Sequence, residues 1–118
     1  MTLSDKQFLF LKNVGQLIDY AIQHGYKLTF GEAYRPQLMQ EHYYNTGKSK
    51  TLNSQHGKRL AIDFNVFLNG KYTTRYEHVK QLGDFWESLN PLNRWGGDWN
   101  GNDVQDEDFI DTPHFEMK

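Results

Sequence analysis

The stretch from about Arg59 to Phe67 reads Arg-Leu-Ala-Ile-Asp-Phe-Asn-Val-Phe, and its alternation predicts a strand buried on one face. Leu60, Ile62, Phe64 and Val66 fall on one side, and Ala61, Asp63 and Asn65 on the other. A carboxylate in the most hydrophobic stretch of a chain is costly unless it is paired or bound to a cation. Asp63 thus demands a positive neighbour, and Ala61 beside it leaves room for one.

The remaining elements follow from periodicity and punctuation. Ser4-Asp5-Lys6-Gln7 reads as a capping box, and Leu11, Val14, Ile18, Ala21 and Ile22, widened by Phe8, Phe10 and Leu17, recur at helical spacing up to Gly25. Residues 27–34 read as a strand, and Pro36 opens a short helix to about Asn45 that stops near Gly47. Residues 46–57 are polar and form a loop. Asn69-Gly70 marks a hairpin turn. Thr74-Arg75-Tyr76-Glu77 caps another helix, buried through Val79, Leu82, Phe85, Trp86 and Leu89 and ended by Asn90-Pro91. A strand from Trp95 to Trp99, an acidic loop from Asn100 to Asp111 and a last strand from about Pro113 to Met117 complete the chain. The expected fold is α+β: a small, mainly antiparallel sheet with helices packed on one side. At 118 residues, positions 1–118 are expected to form a single domain.

Composition removes several functions. A formal net charge of −2 offers no basic face to nucleic acid or anionic lipid. No apolar run approaches the roughly 20 residues of a membrane span. Met1-Thr-Leu-Ser-Asp-Lys reads as neither a secretory signal nor a transit peptide. Cysteine is absent, which excludes disulfides and thiolate metal sites. Any metal must be held by His, Asp and Glu.

His56 lies seven residues before Asp63, and His114 stands in the last strand on the same face as Glu116. Two imidazoles and a carboxylate suffice for a catalytic zinc with one open position. With five His and fifteen acids, a His followed by an acid at one fixed offset arises by chance about half the time. The pair fits equally a surface histidine with Asp63 paired to Arg59 or Lys58. Asp111, three residues before His114, sits where a general base would stand, or in an ordinary Asp-Thr-Pro turn. Arg35 suits a substrate carboxylate or a plain surface. Asp98 to Asp103 resembles the start of a calcium loop, yet Asp103 and Phe109 occupy the positions that need Gly and Glu. Trp95 and Trp99 read as core and cleft wall, and His24, His42 and His78 as structural or solvated.

Taken in order, Ser54-Gln-His56-Gly-Lys-Arg59-Leu60-Ala61-Ile-Asp63-Phe-Asn65, Trp95-Gly-Gly-Asp-Trp99 and Asp111-Thr-Pro-His114-Phe-Glu116 resemble the M15 family of zinc peptidases. The likeness runs from about Phe30 to the C-terminus. It is nearest the phage and prophage L-alanyl-D-glutamate endopeptidases and more distant from the D-alanyl-D-alanine carboxypeptidases. The resemblance implies a hedgehog/DD-peptidase-like fold with Zn2+ on His56, Asp63 and His114. It also implies Asp111 as catalytic base, Arg35 facing the substrate or the developing oxyanion, and Ser54 contacting substrate backbone. Glu116 is the candidate to anchor His114. Many members carry Gly three residues after the first His, where this chain has Arg59.

The function so implied is hydrolysis of the peptidoglycan stem peptide, at the L-Ala–D-Glu bond, by a monomeric endolysin. It would be held in the host cytoplasm and reach the wall after release. The alternatives are a D-alanyl-D-alanine carboxypeptidase, a non-catalytic metal-stabilised wall-binding module, and, further off, a carboxylate-pair glycosidase.

Overall fold

A computed structural model describes residues 1–51, 54–101 and 110–118. Strand β2 (Ala61–Leu68) is the axis of the sheet. Its second half pairs antiparallel with β1 (Tyr26–Phe30) along one edge and with β3 (Lys71–Thr73) along the other. Its first half pairs with β5 (His114–Met117), which pairs in turn with β4 (Asn93–Trp95). The order is β1-β2-β5-β4, with β3 on β2. Asn69 and Gly70 take positive φ of 52° and 80°, as a two-residue hairpin turn requires.

Helix α1 (Leu3–Gln23) packs on β1 and on α3 (Tyr76–Leu89), while α2 (Gln37–Asn45) stands beside the site described below. The α+β expectation holds. The alternation read in β2 is the burial observed: Leu60, Ile62, Phe64 and Val66 are buried in the core with Leu17, Val79, Leu82, Trp86 and Phe115.

Several boundaries differ from expectation. The cap of α1 is Thr2, whose hydroxyl accepts from Asp5 N while the Asp5 carboxylate accepts from Thr2 N; both Thr2 and Ser4 begin a box pattern, and the earlier one closes. The buried stripe of α1 is Phe10, Asn13, Val14, Leu17 and Ala21, so Phe8, Leu11 and Ile22 face solvent. Strand β1 ends at Phe30 and residues 31–36 continue without regular structure. Arg75, not Thr74, is the N-cap residue of α3 and makes no side-chain cap bond, while the Thr74 carbonyl accepts from the Thr112 hydroxyl at 2.7 Å. Strand β4 ends at Trp95, where the strand was expected to begin, and Gly96-Gly97 turn instead. A Cβ at Gly97 would strike the Trp95 ring, so only glycine lets the turn fold over the indole. Most of the acidic loop, 102–109, lies outside the described residues, as do the calcium-loop positions within it.

Two buried indoles lock β5. Trp86 Nε1 donates to Glu116 O and Trp95 Nε1 to Thr112 O, each at 2.9 Å. The segment carrying His114 is thereby pinned at both ends from the core side.

Candidate metal centre

Register places two of the three expected ligands. Asp63 of β2 and His114 of β5 are direct cross-strand partners, and one row along Ala61 faces Glu116, which faces Arg94 of β4. The Asp63 backbone is held on its other side by Gly31 N to Asp63 O and Asp63 N to Glu32 O, both 2.8 Å. A Cβ at Gly31 would collide with the Asp63 backbone, which is why the chain passing here is glycine. His56 comes from outside the sheet, on a single 3-10 turn (Gln55–Lys58) capped by Ser54, whose hydroxyl accepts from His56 N at 3.1 Å.

The tautomers follow from the partners. His56 Nδ1 faces the Ala33 carbonyl at 2.6 Å, and a carbonyl only accepts, so Nδ1 carries the proton. His114 Nε2 lies 2.8 Å from Glu116 Oε1 and donates to it. The lone pairs of His56 Nε2 and His114 Nδ1 are then turned toward each other, 3.2 Å apart. Asp63 Oδ1 lies 3.3 Å from the first and 3.1 Å from the second. Three electron-rich atoms converging in a largely buried site repel unless a cation sits among them. A proton can play that part: burial works against a charged His114, but bonds to Asp63 and Glu116 carry its pKa up to about 9. Burial likewise opposes ionised Asp63, yet the two imidazoles hold its pKa far below the carboxylate range. A metal ion fits better, because all three donor atoms lie within 4.8 Å of one another and each imidazole is anchored on its far nitrogen. Among the described residues these three alone form such a group.

Around the centre opens a cleft of about 510 Å³, floored by His56, Asp63 and His114 and walled by Arg35, Ser54 and Asp111 among others. All six residues expected from the sequence therefore line one cavity. Asp111 N donates to Gly96 O at 2.8 Å and its carbonyl accepts from His114 N at 3.0 Å, fixing it above the ligand strand. Burial and then the Asp63 charge push the Asp111 carboxyl upward. Trp99 forms a side wall, its ring 5.2 Å from that of His114, with the Arg94 guanidinium 5.3 Å over it. Arg94 also grips Glu116 at 2.7 and 3.1 Å; with His114 this holds the Glu116 pKa low against the effect of burial.

A family model described as D-alanyl-D-alanine carboxypeptidase, one of the M15 peptidases, matches residues 47–117. The chain belongs to the M15 peptidases. The L-alanyl-D-glutamate peptidase of Listeria phage A118 is 30% identical over 104 residues, which is 86% of this chain and 34% of that protein. The chain thus spans about a third of the length of this curated relative. The crystal structure of the Serratia marcescens L-Ala D-Glu endopeptidase ChiX aligns with a TM-score of 0.71 at 19% identity, over 92% of this chain and 77% of that one. The fold is shared with it.

In this M15 domain, Arg59 explains its own oddity. It stands where the resemblance leads one to expect Gly, and its φ is +58°, the left-handed region that favours glycine. Its guanidinium lies 4.1 Å over the Tyr34 ring, a contact glycine lacks, while Asp63 pairs with His56 and His114.

Sequence reading singled out Arg35 but missed the residues that hold it, Glu32, Gln40 and Tyr43. Arg35 is not a surface arginine: its Nε pairs with Glu32, its Nη1 donates to Gln40 Oε1 at 2.7 Å, and its guanidinium lies 4.8 Å over Tyr43. Tyr43 in turn donates to Glu32 at 3.2 Å. Gln40 is the one buried residue of a helix exposed elsewhere save at the half-buried Tyr43, and its amide nitrogen donates to Ser49 Oγ at 2.9 Å and to the Thr51 carbonyl. One side chain thus ties α2, Arg35 and the loop running toward Ser54. The signal available was a polar residue five positions after Arg35, one turn or so into a helix begun by Pro36; nothing in its type marks it as buried.

Proposed function

We propose that this domain is a zinc peptidase that cuts the stem peptide of bacterial peptidoglycan, at the L-Ala–D-Glu bond. The observation that carries the reading is the turning of two imidazole lone pairs and a carboxylate oxygen onto one point at the floor of an open cleft. The named activity of the Listeria phage relative supports the bond chosen. Zinc, when bound, supplies Lewis acidity and a nucleophile at neutral pH.

The chain's own residues do the rest. His56, Asp63 and His114 hold the ion, and Ala33 and Glu116 hold the imidazoles in the ligating tautomer. Asp111, with its pKa raised, takes a proton from the attacking water and delivers it to the leaving amine. Arg35, fixed by Glu32 and Gln40, meets the developing oxyanion or a substrate carboxylate. Ser54 and Trp99 line the path of the peptide. The polypeptide acts on the wall, and a lytic role in the host of a phage matches the relative's source.

Purified protein incubated with cell wall should release new L-Ala or D-Glu termini, and a chelator should stop it until zinc is restored. Undiminished activity in chelator would remove the metal mechanism. The carboxypeptidase reading draws on the description of the matched family model and predicts release of single D-Ala residues, which mass spectrometry of the products separates. A closed structural metal site needs a fourth protein ligand. Glu116 is not placed to be one, because it sits behind His114 on the far nitrogen.

A further inference from the structure

Helix α1 carries a second apolar stripe that the core leaves largely exposed, meeting it only through the half-buried Ile18. Phe8, Leu11, Gly15, Ile18 and Ile22 recur at alternating steps of three and four, the spacing of a helix-pairing seam. Phe8, Leu11 and Ile22 are 70%, 65% and 66% exposed. The core takes Phe10, Val14, Leu17 and Ala21 from the adjoining side of the helix. Gly15 is at the middle of the seam, and a Cβ there would meet nothing within 4 Å. Glycine is among the poorest helix formers, and among the described residues no neighbour requires it here. What an open glycine at mid-helix does allow is the close approach of another backbone. Phe30 and Tyr34, 76% and 47% exposed, border a groove of about 700 Å³ beside Leu11, Gly15 and Ile18 and extend the apolar surface.

The seam is complementary to itself in one orientation only. About a two-fold axis at Gly15, Leu11 of one copy faces Ile18 of the other, and Phe8 faces Ile22. The exposed Lys12 then faces the second copy's Asp19, twice over. A parallel arrangement would put one copy's Lys12 and the other's Asp19 on opposite flanks of the seam, where they do not meet. We propose that the chain forms a symmetric homodimer in which two α1 helices cross antiparallel at Gly15. This replaces the monomer expected from the sequence, and it is independent of the peptidase reading. A single helix pair lies at the low end of specific interface sizes, so the dimer is weak and exchanges with monomer.

Sedimentation equilibrium of the purified chain, from about 5 to about 500 μM, should show the mass doubling across the range. Leu11→Glu, on an exposed position, should leave the thermal melt unchanged and abolish the doubling. Lys12→Asp and Asp19→Lys should each weaken association about tenfold or more, and the double reversal should restore it. Since the chain has no cysteine, Gly15→Cys places one thiol per copy at the crossing, and a mild oxidant should link the copies as disulfide dimers. A monomer throughout the range would overturn the proposal. So would a dimer that tolerates Leu11→Glu or one that the double reversal fails to rescue.

Discussion

On the sheet side of the cleft, Asp63, His114, Glu116 and Arg94 take their places from strand register. The ladder makes Asp63 face His114 and Glu116 face Arg94, and two indoles clamp the strand between them. On the other side, Glu32, Arg35, Gln40, Tyr43 and His56 stand on a coil, a short helix and a single 3-10 turn. They are placed by side chains holding one another and by a few backbone bonds such as Arg35 N to His56 O at 3.2 Å. A register is enforced by a whole buried face, because a one-residue slip would turn Asp63 into the core. A polar network is enforced only by its members. The sheet half should therefore respond to mutation as a unit with the fold, and the coil half should fail in function before it fails in stability.

The largest effect expected is at Asp63. Asp63→Ala removes one of three donors and leaves two imidazoles facing each other in a buried site. Taking a third of a binding energy on the order of 10 kcal/mol, metal affinity should fall several hundredfold. Peptidase activity should vanish, and the melting temperature should drop with it. Isothermal titration with zinc and a thermal melt check both; retention of metal with a normal melt would show that the sheet half is not the metal site.

Asp111→Asn comes next and tests the border between the halves. The turn that carries Asp111 is held by backbone bonds to Gly96 and His114, so the fold and the metal content should survive. Loss of the proton acceptor should lower turnover by about 10²–10⁴-fold. Near-normal turnover with metal in place would assign the base elsewhere.

His114 lets pH separate metal-free from loaded protein. Its metal-free pKa is raised from 6.5 to about 9, so the folded state holds a proton that the unfolded chain releases. The stabilisation is complete below about pH 6.5 and is lost as pH rises through about 9, a loss of ~3 kcal/mol. Zinc needs the neutral ring, so it competes with that proton and binds more tightly as pH rises. Denaturation from pH 6.5 to 9 should therefore slope downward in chelator and flatten or slope upward with zinc. Parallel slopes would mean that proton and metal do not share the site.

The same contrast governs what could be read from the chain. Asp63 was legible because one carboxylate interrupts a clean alternation, and His114 and Glu116 because a four-residue strand has a parity. The order of the motifs made His56, Asp111 and Arg35 legible through resemblance. Glu32, Gln40 and Tyr43 were not: each is a common residue on a coil or amphipathic segment, and its burial comes from a partner far from any pattern. The stripe of α1 was misread for a related reason. Apolar residues surround most of that helix, so periodicity alone does not say which side meets the core.

Gln40 is the finest test of the coil half. Its amide accepts from Arg35 and donates to Ser49 and Thr51, so a glutamate there keeps the arginine contact and loses both donations. Alanine loses all three. If Arg35 meets the substrate, both variants displace it or its loop by a fraction of an ångström, and such displacement costs catalysis more than stability. Gln40→Ala should reduce kcat/KM about 10–100-fold, with metal content unchanged and the fold weakened by only about 1–3 kcal/mol. Gln40→Glu should recover part of kcat, since the carboxylate still holds Arg35, while KM stays high because the 49–51 loop is released. Equal loss in both variants would place the effect in the loop alone. A loss of stability with no loss of kcat/KM would make the coil half scaffolding, and the contrast with the sheet would then rest on His56 alone.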